Sequence, residues 1–163
     1  MSPAKCTIRA ACPEDLPRLG VLAGGLVRLH HATDARRFLL VDGVEEGYAR
    51  WFSRELGREE VLLLVAEADL ATGRQIVGYV YATLEGRDWN LLLDEHAAIH
   101  DVMVDPEVRR AGVGLELMRA LLAALEARGA TRVVLSTMVQ NEAAQKLFAA
   151  CGFRPTMLEM TRG

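Results

Sequence analysis

The chain has 163 residues, of which 51% are hydrophobic and 25% are charged, and its formal net charge at pH 7 is −3. This length predicts a single domain over residues 1–163, and a composition this apolar excludes disorder over most of the chain. The acidic balance argues against a nucleic-acid partner or a membrane surface, and residues 61–66, an uninterrupted apolar stretch, fall far short of the roughly 20 residues a membrane span needs.

The N-terminal third predicts one strand and two helices. Residues 7–10 alternate in polarity, as a short strand does, and Pro13 stands where the first turn of a helix favours proline. Leucines at helical spacing carry that helix to about His30. A second helix is predicted to begin after Asp42, because Glu45 follows it at the spacing of a capping box.

The middle of the chain predicts the main strands of a sheet. Residues 60–68 and 75–85 are apolar and rich in β-branched side chains, and the turn at residues 71–74 predicts that they form a hairpin. A polar loop over residues 87–95 precedes a further strand at residues 97–104, which Asp105 and Pro106 end.

The C-terminal third alternates between helix and strand. A helix is predicted to begin at Gly112 and end at Gly129, followed by a strand at residues 132–137. The next helix runs over residues 141–151, and residues 153–161 are predicted to form a final strand. The elements together predict an α/β chain with a mixed sheet.

The strand, loop and helix start at residues 102–114 have the features of an anion site. A helix N-terminus offers unpaired N–H groups, and Gly112 and Gly114 would let a phosphate reach the backbone. Arg109 and Arg110 add positive charge there. The spacing does not fit a dinucleotide-binding fingerprint, whose third glycine would replace Leu117, and the lysine and hydroxyl residue of a phosphate-binding P-loop are absent.

A second motif follows about 27 residues later and runs Asn141-x-x-Ala144-x-x-Leu147-Phe148-x-x-x-Gly152-Phe153. Together with the glycine loop, it resembles the GNAT superfamily of acyl-CoA-dependent N-acyltransferases. The likeness is strongest from Ala97 to Phe153. It implies an α/β fold in which a central mixed β-sheet is flanked by about four helices, and an N-acetyltransferase that needs no metal.

The resemblance also implies where acetyl-CoA would bind. Its pyrophosphate would rest on the backbone amides of the loop and helix start, formed by Arg109, Arg110, Ala111, Gly112, Val113 and Gly114. Its pantetheine arm would pair with the backbone of Val102, Met103 and Val104. Asn141 would face the cofactor near the thioester, and Phe148 would line the acyl pocket.

His100 is the candidate catalytic base. Attack of an amine on a thioester requires the amine to lose a proton, and an imidazole with an ordinary pKa of about 6.5 suits that role. A period of two along the strand predicts that His100 shares a face with Val102 and Val104. The same period predicts that Asp101 points to the opposite face and is structural.

Phe148 departs from the resemblance, because the superfamily's usual acid is a tyrosine at this position. Either another hydroxyl, such as that of Tyr79, Tyr81 or Ser136, takes its place, or water and the attacking ammonium supply the proton. Ser136 also stands where the branch that acetylates protein N-termini often carries a glutamate, which disfavours a ribosomal-protein acceptor.

Other polar and aromatic residues carry weaker hypotheses. Glu67 and Glu85 lie on predicted strands and could face the acceptor, although a carboxylate already paired or at the rim is the simpler interpretation. His30 and His31 have no third ligand in register, so a metal is not expected. The helical spacing of three aromatic residues is more typical of a core than of a substrate box: Tyr48, Trp51 and Phe52.

The sequence therefore predicts an acetyltransferase that moves acetyl from acetyl-CoA to the primary amine of a small molecule. Two alternatives stay open, a non-catalytic acyl-CoA-binding module and an enzyme acting on a protein N-terminus or lysine. No apolar signal core precedes Cys6, and scattered cysteines favour a reduced cytoplasmic setting. A homodimer is expected, because a terminal strand at residues 153–161 would otherwise leave an exposed edge.

Overall fold

A computed structural model of the chain describes residues 6–109 and 111–163. Within these residues the elements are, in chain order, β1 (Cys6–Ala10), α1 (Leu16–Thr33), α2 (Val44–Glu55), β2 (Val61–Leu70), β3 (Gly73–Glu85), β4 (His96–Val104), α3 (Val113–Ala127), β5 (Val133–Leu135) and α4 (Glu142–Ala150). Single 3₁₀ turns at Pro13–Asp15 and Pro106–Val108 precede α1 and α3. In the described parts of the chain, no helix is long and apolar enough to cross a membrane.

The strands form one sheet in the order β1-β2-β3-β4-β5. The first four strands are antiparallel to their neighbours, and β5 runs parallel to β4. The predicted hairpin is confirmed, with a tighter turn than expected, because Leu70 already pairs with Gly73. The sheet is therefore mixed and flanked by helices, as predicted.

Each face of the sheet carries its own apolar core. On the face that we call the α1–α2 face, Leu19 and Phe52 pack against side chains of β2 and β3 such as Val65 and Tyr79. On the α3–α4 face, Leu117 and Leu121 of α3 pack with Phe148 of α4 and with the opposite side chains of the same strands. Both sides of the central strands are thus buried, which explains why their sequences are almost continuously apolar.

The predicted cap of the second helix is wrong. The residue that caps α2 is Gly43, which has a φ of +68° and accepts the N–H of Gly47 at 2.9 Å through its backbone oxygen. The side chain of Glu45 instead binds Arg28 of α1. A glycine in the left-handed region lets the chain turn sharply into α2, so the carboxylate that the sequence suggested for capping is free to tie the two helices together.

The predicted final strand is also wrong. Residues 153–163 form no strand, and Met157, Leu158 and Met160 are 79%, 68% and 87% exposed. Two features explain the difference. Pro155 has no N–H to donate to a ladder, and β5 offers a neighbouring edge of only three residues, where residues 132–137 had been expected to provide six.

Candidate functional site

The outer edge of β4 opens halfway along the strand. β3 pairs with β4 from one end of β4 to the other, apart from one bulged residue described below. On the opposite edge of β4, β5 pairs only with Ala97, Ala98 and Ile99. Beyond Ile99, no strand of the described chain covers this edge. Val102, Met103 and Val104 lie on the open segment, where backbone N–H and C=O groups can pair with an extended ligand as if it were an added strand.

The N-terminus of α3 lies just after this open edge. Gly112 caps the helix with a φ of +82°, and no described side chain bonds to the free N–H groups of the first turn. Glu116 N–H donates to the Gly112 oxygen at 3.1 Å, so the N–H groups of Val113, Gly114 and Leu115 come before the first intrahelical bond. These groups and the helix dipole favour an anion.

The two glycines of this loop have different roles. A Cβ built on Gly112 would meet no described atom within 4 Å, so the space in front of the helix is open. A Cβ on Gly114 would lie 3.2 Å from Cδ2 of Leu147 and 3.7 Å from Cγ2 of Val104. Gly114 therefore allows α3 to pack closely on α4 and β4, and Gly112 leaves the approach to the amides clear.

The arginines at the loop are only partly described. Arg109 is exposed, and its Nε donates to the backbone oxygen of Val104 at 3.2 Å, which links the loop to the end of β4. Ala111 is partly buried against the α3–α4 core. Arg110, the other predicted source of positive charge, lies outside the described residues.

A β-bulge in β4 overturns the predicted facing of His100, whereas Asp101 lies on the face opposite Val102 and Val104, as predicted. Tyr81 pairs with Asp101 and Ala82 pairs with Ile99, so His100 is an extra residue without a partner on β3. The extra residue places His100 and Asp101 together on the α1–α2 face.

The packing on either side of the bulge shows the same change of phase. Ala97 and Ile99 pack in the α3–α4 core before the bulge, and Val102 and Val104 pack there after it, while Met103 joins the α1–α2 core. The sequence does not carry this signal, because residues 97–99 and 102–104 are all apolar and show no alternation on either side of the two polar residues.

His100 lies between two neighbours that orient its ring. Its Nε2 is 2.7 Å from Oγ1 of Thr83, and its ring centroid is 5.2 Å from that of Tyr81. The Thr83 hydroxyl donates its one proton to Glu85 at 2.5 Å, so it accepts from His100, and Nε2 carries the ring proton. Nδ1 is consequently the nitrogen with a free lone pair.

Asp101 lines a cavity of about 710 Å³ between α1, the segment 34–43 and α2. The Tyr79 hydroxyl donates to Oδ2 of Asp101 at 3.1 Å. Burial raises the pKa of Asp101 above its ordinary value, although the hydrogen bond from Tyr79 and the nearby His100 and His30 oppose the rise. Burial, with the Asp101 charge, also raises the pKa of Tyr48 to about 12.

Of the two candidate carboxylates, one is already paired and the other lies in a cavity. Glu67 lies on β2 in a network with Arg9 at 3.1 Å and Arg74 at 3.8 Å, so its carboxylate is already paired. Glu85 lies next to His100, in a second cavity of about 430 Å³.

Of the three hydroxyls considered as candidate acids, two are already bound to carboxylates and one is exposed. Tyr79 and Tyr81 donate their hydroxyl protons to carboxylates, Tyr81 to Glu55 at 2.6 Å, and both rings lie in the α1–α2 core. Ser136 is exposed just after β5.

The second motif forms the start and inner face of α4. Oδ1 of Asn141 accepts the N–H of Ala144 at 3.1 Å, as the sequence predicts for a helix cap. Phe148 is 8% exposed in the α3–α4 core, and its ring contacts that of Phe153 edge-on at 6.1 Å.

The two adjacent histidines are used within the fold. Nδ1 of His30 lies 2.8 Å from the Leu26 oxygen, and Nδ1 of His31 lies 2.7 Å from the Phe38 oxygen. No group of three metal-ligating side chains occurs among the residues described.

Comparison with known families finds a match that covers most of the chain. The model of the Acetyltransferase (GNAT) family matches residues 29–153. Among curated proteins, the [Ribosomal protein bS18]-alanine N-acetyltransferase of Escherichia coli K12 is 36% identical over 63 residues. That segment covers 39% of this chain and 42% of the enzyme, so the chain matches less than half of its relative's length.

Solved structures share the fold over nearly the full chain. The tetramutant of the BH1408 protein from Bacillus halodurans has a TM-score of 0.81 at 19% identity, covering 96% of this chain and 99% of that one. An aminoglycoside antibiotic 6′-N-acetyltransferase from Acinetobacter haemolyticus has a TM-score of 0.72 at 18% identity, covering 96% and 97%. At these identities the likeness concerns the fold.

Proposed function

This chain belongs to the GNAT family of acetyltransferases, and from that premise we propose that it transfers the acetyl group of acetyl-CoA to the primary amine of a small molecule. The observation that carries the proposal is the alignment of three features. The open edge of β4 leads from the N-terminus of α3 to the bulge at His100, and the cavities on the α1–α2 face begin there. A cofactor that lies along the open edge and an acceptor that lies in a cavity on the α1–α2 face can therefore meet at the bulge.

The cofactor is proposed to bind along the open edge. The pyrophosphate would accept hydrogen bonds from the amides between Arg109 and Gly114, and the pantetheine would pair with the backbone of Val102, Met103 and Val104. Asn141, at the start of α4, would face the thioester end. Phe148 would line the acyl pocket, since it lies in the α3–α4 core, against which Val102 and Val104 also pack.

His100 is proposed as the base. Nδ1 takes the proton that the amine loses as its nitrogen attacks the thioester carbon. The positive charge that forms on the ring is stabilised through Thr83 by the carboxylate of Glu85, because Nε2 donates to Thr83 and Thr83 donates to Glu85. Thr83 and Glu85 act through His100 and are positioning residues.

The thiolate of coenzyme A leaves without a tyrosine at position 148. Tyr79 and Tyr81 already donate to Asp101 and Glu55, which favours water or the attacking ammonium as the source of the proton. The ammonium loses two protons in all: one goes to Nδ1 of His100, and the other, released as the N–C bond replaces the C–S bond, passes to the sulfur directly or through water.

A protein N-terminus is the second candidate acceptor, favoured by the name of the curated relative, which acts on an alanine of a ribosomal protein. A peptide that begins with alanine therefore belongs in the assay beside small amines.

We further propose a homodimer in the cytoplasm. The tail over residues 153–163 exposes apolar side chains and reaches the segment 34–43 through the ion pair of Arg37 with Glu159. Burial of this apolar surface against a second copy would stabilise a pair. The three cysteines Cys6, Cys12 and Cys151 are free thiols, in keeping with a reducing compartment. A sedimentation mass that stays near 17.9 kDa at micromolar concentrations would contradict the dimer.

The test of the proposed function is amine-dependent release of coenzyme A. The protein is incubated with acetyl-CoA and a panel of amines, and the free thiol is measured. Turnover above the rate without an amine is expected. Saturable binding of acetyl-CoA without turnover on any amine would contradict the proposal.

A further inference from the structure

The larger cavity on the α1–α2 face has walls that are mainly apolar and aromatic. Leu26 of α1, Phe38 and Val41 of the segment 34–43, and Tyr48 and Trp51 of α2 form these walls. A volume of about 710 Å³ is large enough for a molecule with an aromatic ring. Polar side chains also line the cavity, but most of its wall is apolar, so an apolar group is the better occupant of its interior.

Asp101 is one of two carboxylates in the lining of this cavity, with Asp42, and no cation of the described chain is paired with it. The two arginines of the lining lie elsewhere: Arg37 pairs with Glu159, and Arg50 is exposed on α2. Asp101 receives a hydrogen bond from Tyr79, and none of the ion pairs in the described chain includes it. A partly buried carboxylate without an ion-pair partner is costly, and a ligand ammonium in the cavity would neutralise it. His100 is the adjacent residue, so an ammonium held by Asp101 lies next to the proposed base.

We infer that the acceptor is a primary amine with an apolar, preferably aromatic substituent, whose ammonium binds Asp101 while the substituent fills the cavity between α1 and α2. This inference rests on the proposed function and names the substrate class for that same site. Asp101 becomes the residue that selects an amine, and Phe38 and Trp51 become residues that select its substituent.

The smaller cavity would suit a different class of amine from the larger one. It lies on the other side of Trp51 and His100, and its lining includes three carboxylates, Glu55, Glu60 and Glu85, with Arg58. Although Glu55 and Glu60 already pair with Arg58, this acidic lining would suit a polyamine better than an apolar amine. The preference of the enzyme for an apolar amine or a polyamine therefore reports which cavity holds the acceptor.

The experiment compares kcat/KM for 2-phenylethylamine and hexylamine with that for spermidine, kanamycin and a peptide that begins with alanine. We expect the two apolar amines to be used at least tenfold more efficiently than the others. Transfer that favours spermidine or kanamycin would overturn the inference and leave the proposed function standing. Transfer that favours the peptide would overturn both the inference and the small-molecule acceptor, in favour of a protein N-terminus. Calorimetric binding of 2-phenylethylamine without transfer to any amine would retain the ligand class and overturn the function, and neither binding nor transfer would overturn both.

A substitution at Asp101 tests whether its carboxylate binds the ammonium of the acceptor. Asp101→Asn removes the charge but keeps an oxygen for Tyr79, and we expect it to raise the KM for 2-phenylethylamine at least tenfold with the Kd of acetyl-CoA unchanged. Glu46→Gln, an exposed charge on α2 outside the cavity, is the matched control and should leave KM unchanged. An unchanged KM in Asp101→Asn would overturn the role of Asp101.

A second variant tests the cavity wall and does not depend on the folding of Asp101→Asn. Phe38→Ala should reduce kcat/KM for 2-phenylethylamine at least tenfold and leave that for ethylamine nearly unchanged, because only the larger amine reaches the wall. An equal loss for both amines would overturn the assignment of the cavity to the substituent.

Discussion

Gly112 allows the proposed pyrophosphate site to be tested with a single methyl group. Its φ of +82° lies in the left-handed region, where an alanine costs about 1–2 kcal/mol of folding free energy. The added Cβ meets no described atom within 4 Å, so steric clash inside the protein adds nothing to that cost. The methyl group would instead occupy the open space in front of the first amides of α3.

Gly112→Ala is therefore expected to have two separable effects. The free energy of unfolding, measured by urea denaturation, should fall by about 1–2 kcal/mol. The Kd of acetyl-CoA, measured by calorimetry on the folded variant, should rise at least tenfold, which corresponds to about 1.4 kcal/mol. A bulkier side chain such as that of Gly112→Val should raise the Kd further.

Gly129 provides a control on the same helix. It has a φ of +83° at the far end of α3, and a Cβ there also meets no described atom within 4 Å. Gly129→Ala should thus lose a similar amount of stability and bind acetyl-CoA like the unaltered protein. If Gly112→Ala also binds normally, the assignment of the pyrophosphate to this helix start is refuted.

Three further predictions concern the chemistry and the stability of the fold. His100→Ala should lower kcat/KM by about 10² to 10⁴, and Thr83→Val should lower kcat by about tenfold through the lost hydrogen bond to the ring. Steady-state kinetics measure both effects, and a rate equal to that of the unaltered protein would contradict the role of the residue. Phe148→Tyr should leave the Kd of acetyl-CoA within about twofold and keep or raise kcat, whereas a lower kcat in a folded variant would contradict a lost acid at this position. Asp15, which Arg9 holds at 2.7 Å, has a lowered pKa, so its charge stabilises the fold above the ordinary value of 3.8 and this contribution is lost as the pH falls through the lowered pKa. Asp15→Asn should cost about 2 kcal/mol of unfolding free energy at pH 7, and the difference from the unaltered protein should shrink in acid; a difference independent of pH would contradict the ion pair.

The elements with strong local signals could be predicted from the sequence. The hairpin of β2 and β3 follows from two long apolar stretches around a turn, and α3 follows from leucines at helical spacing that end at Gly129. Asn141 was identified as a cap because its side chain acts on its own helix. These features depend on residues that are close in the chain.

The features that were missed depend on distant parts of the chain. A terminal strand at residues 153–161 needs a neighbouring edge, and the length of β5 cannot be judged from its own residues. The capping role given to Glu45 failed because Arg28, on another helix, binds its carboxylate. His100 was found by its chemistry, yet its facing was wrong, because the period of two holds only where no bulge interrupts the strand.

The bulge in β4 also lets one strand contribute side chains to the hydrophobic core and to the cavities of the proposed acceptor site. The side chains before and after it that point to the α3–α4 face contribute to the hydrophobic core beside the proposed cofactor edge, and they are constrained by packing. His100 and Asp101 both point the other way and line the cavities on the α1–α2 face. Substitution at Asp101 would therefore change the amine that the proposed site accepts while His100 and the cofactor side remain as they are, so related chains could diverge in acceptor and keep a common donor.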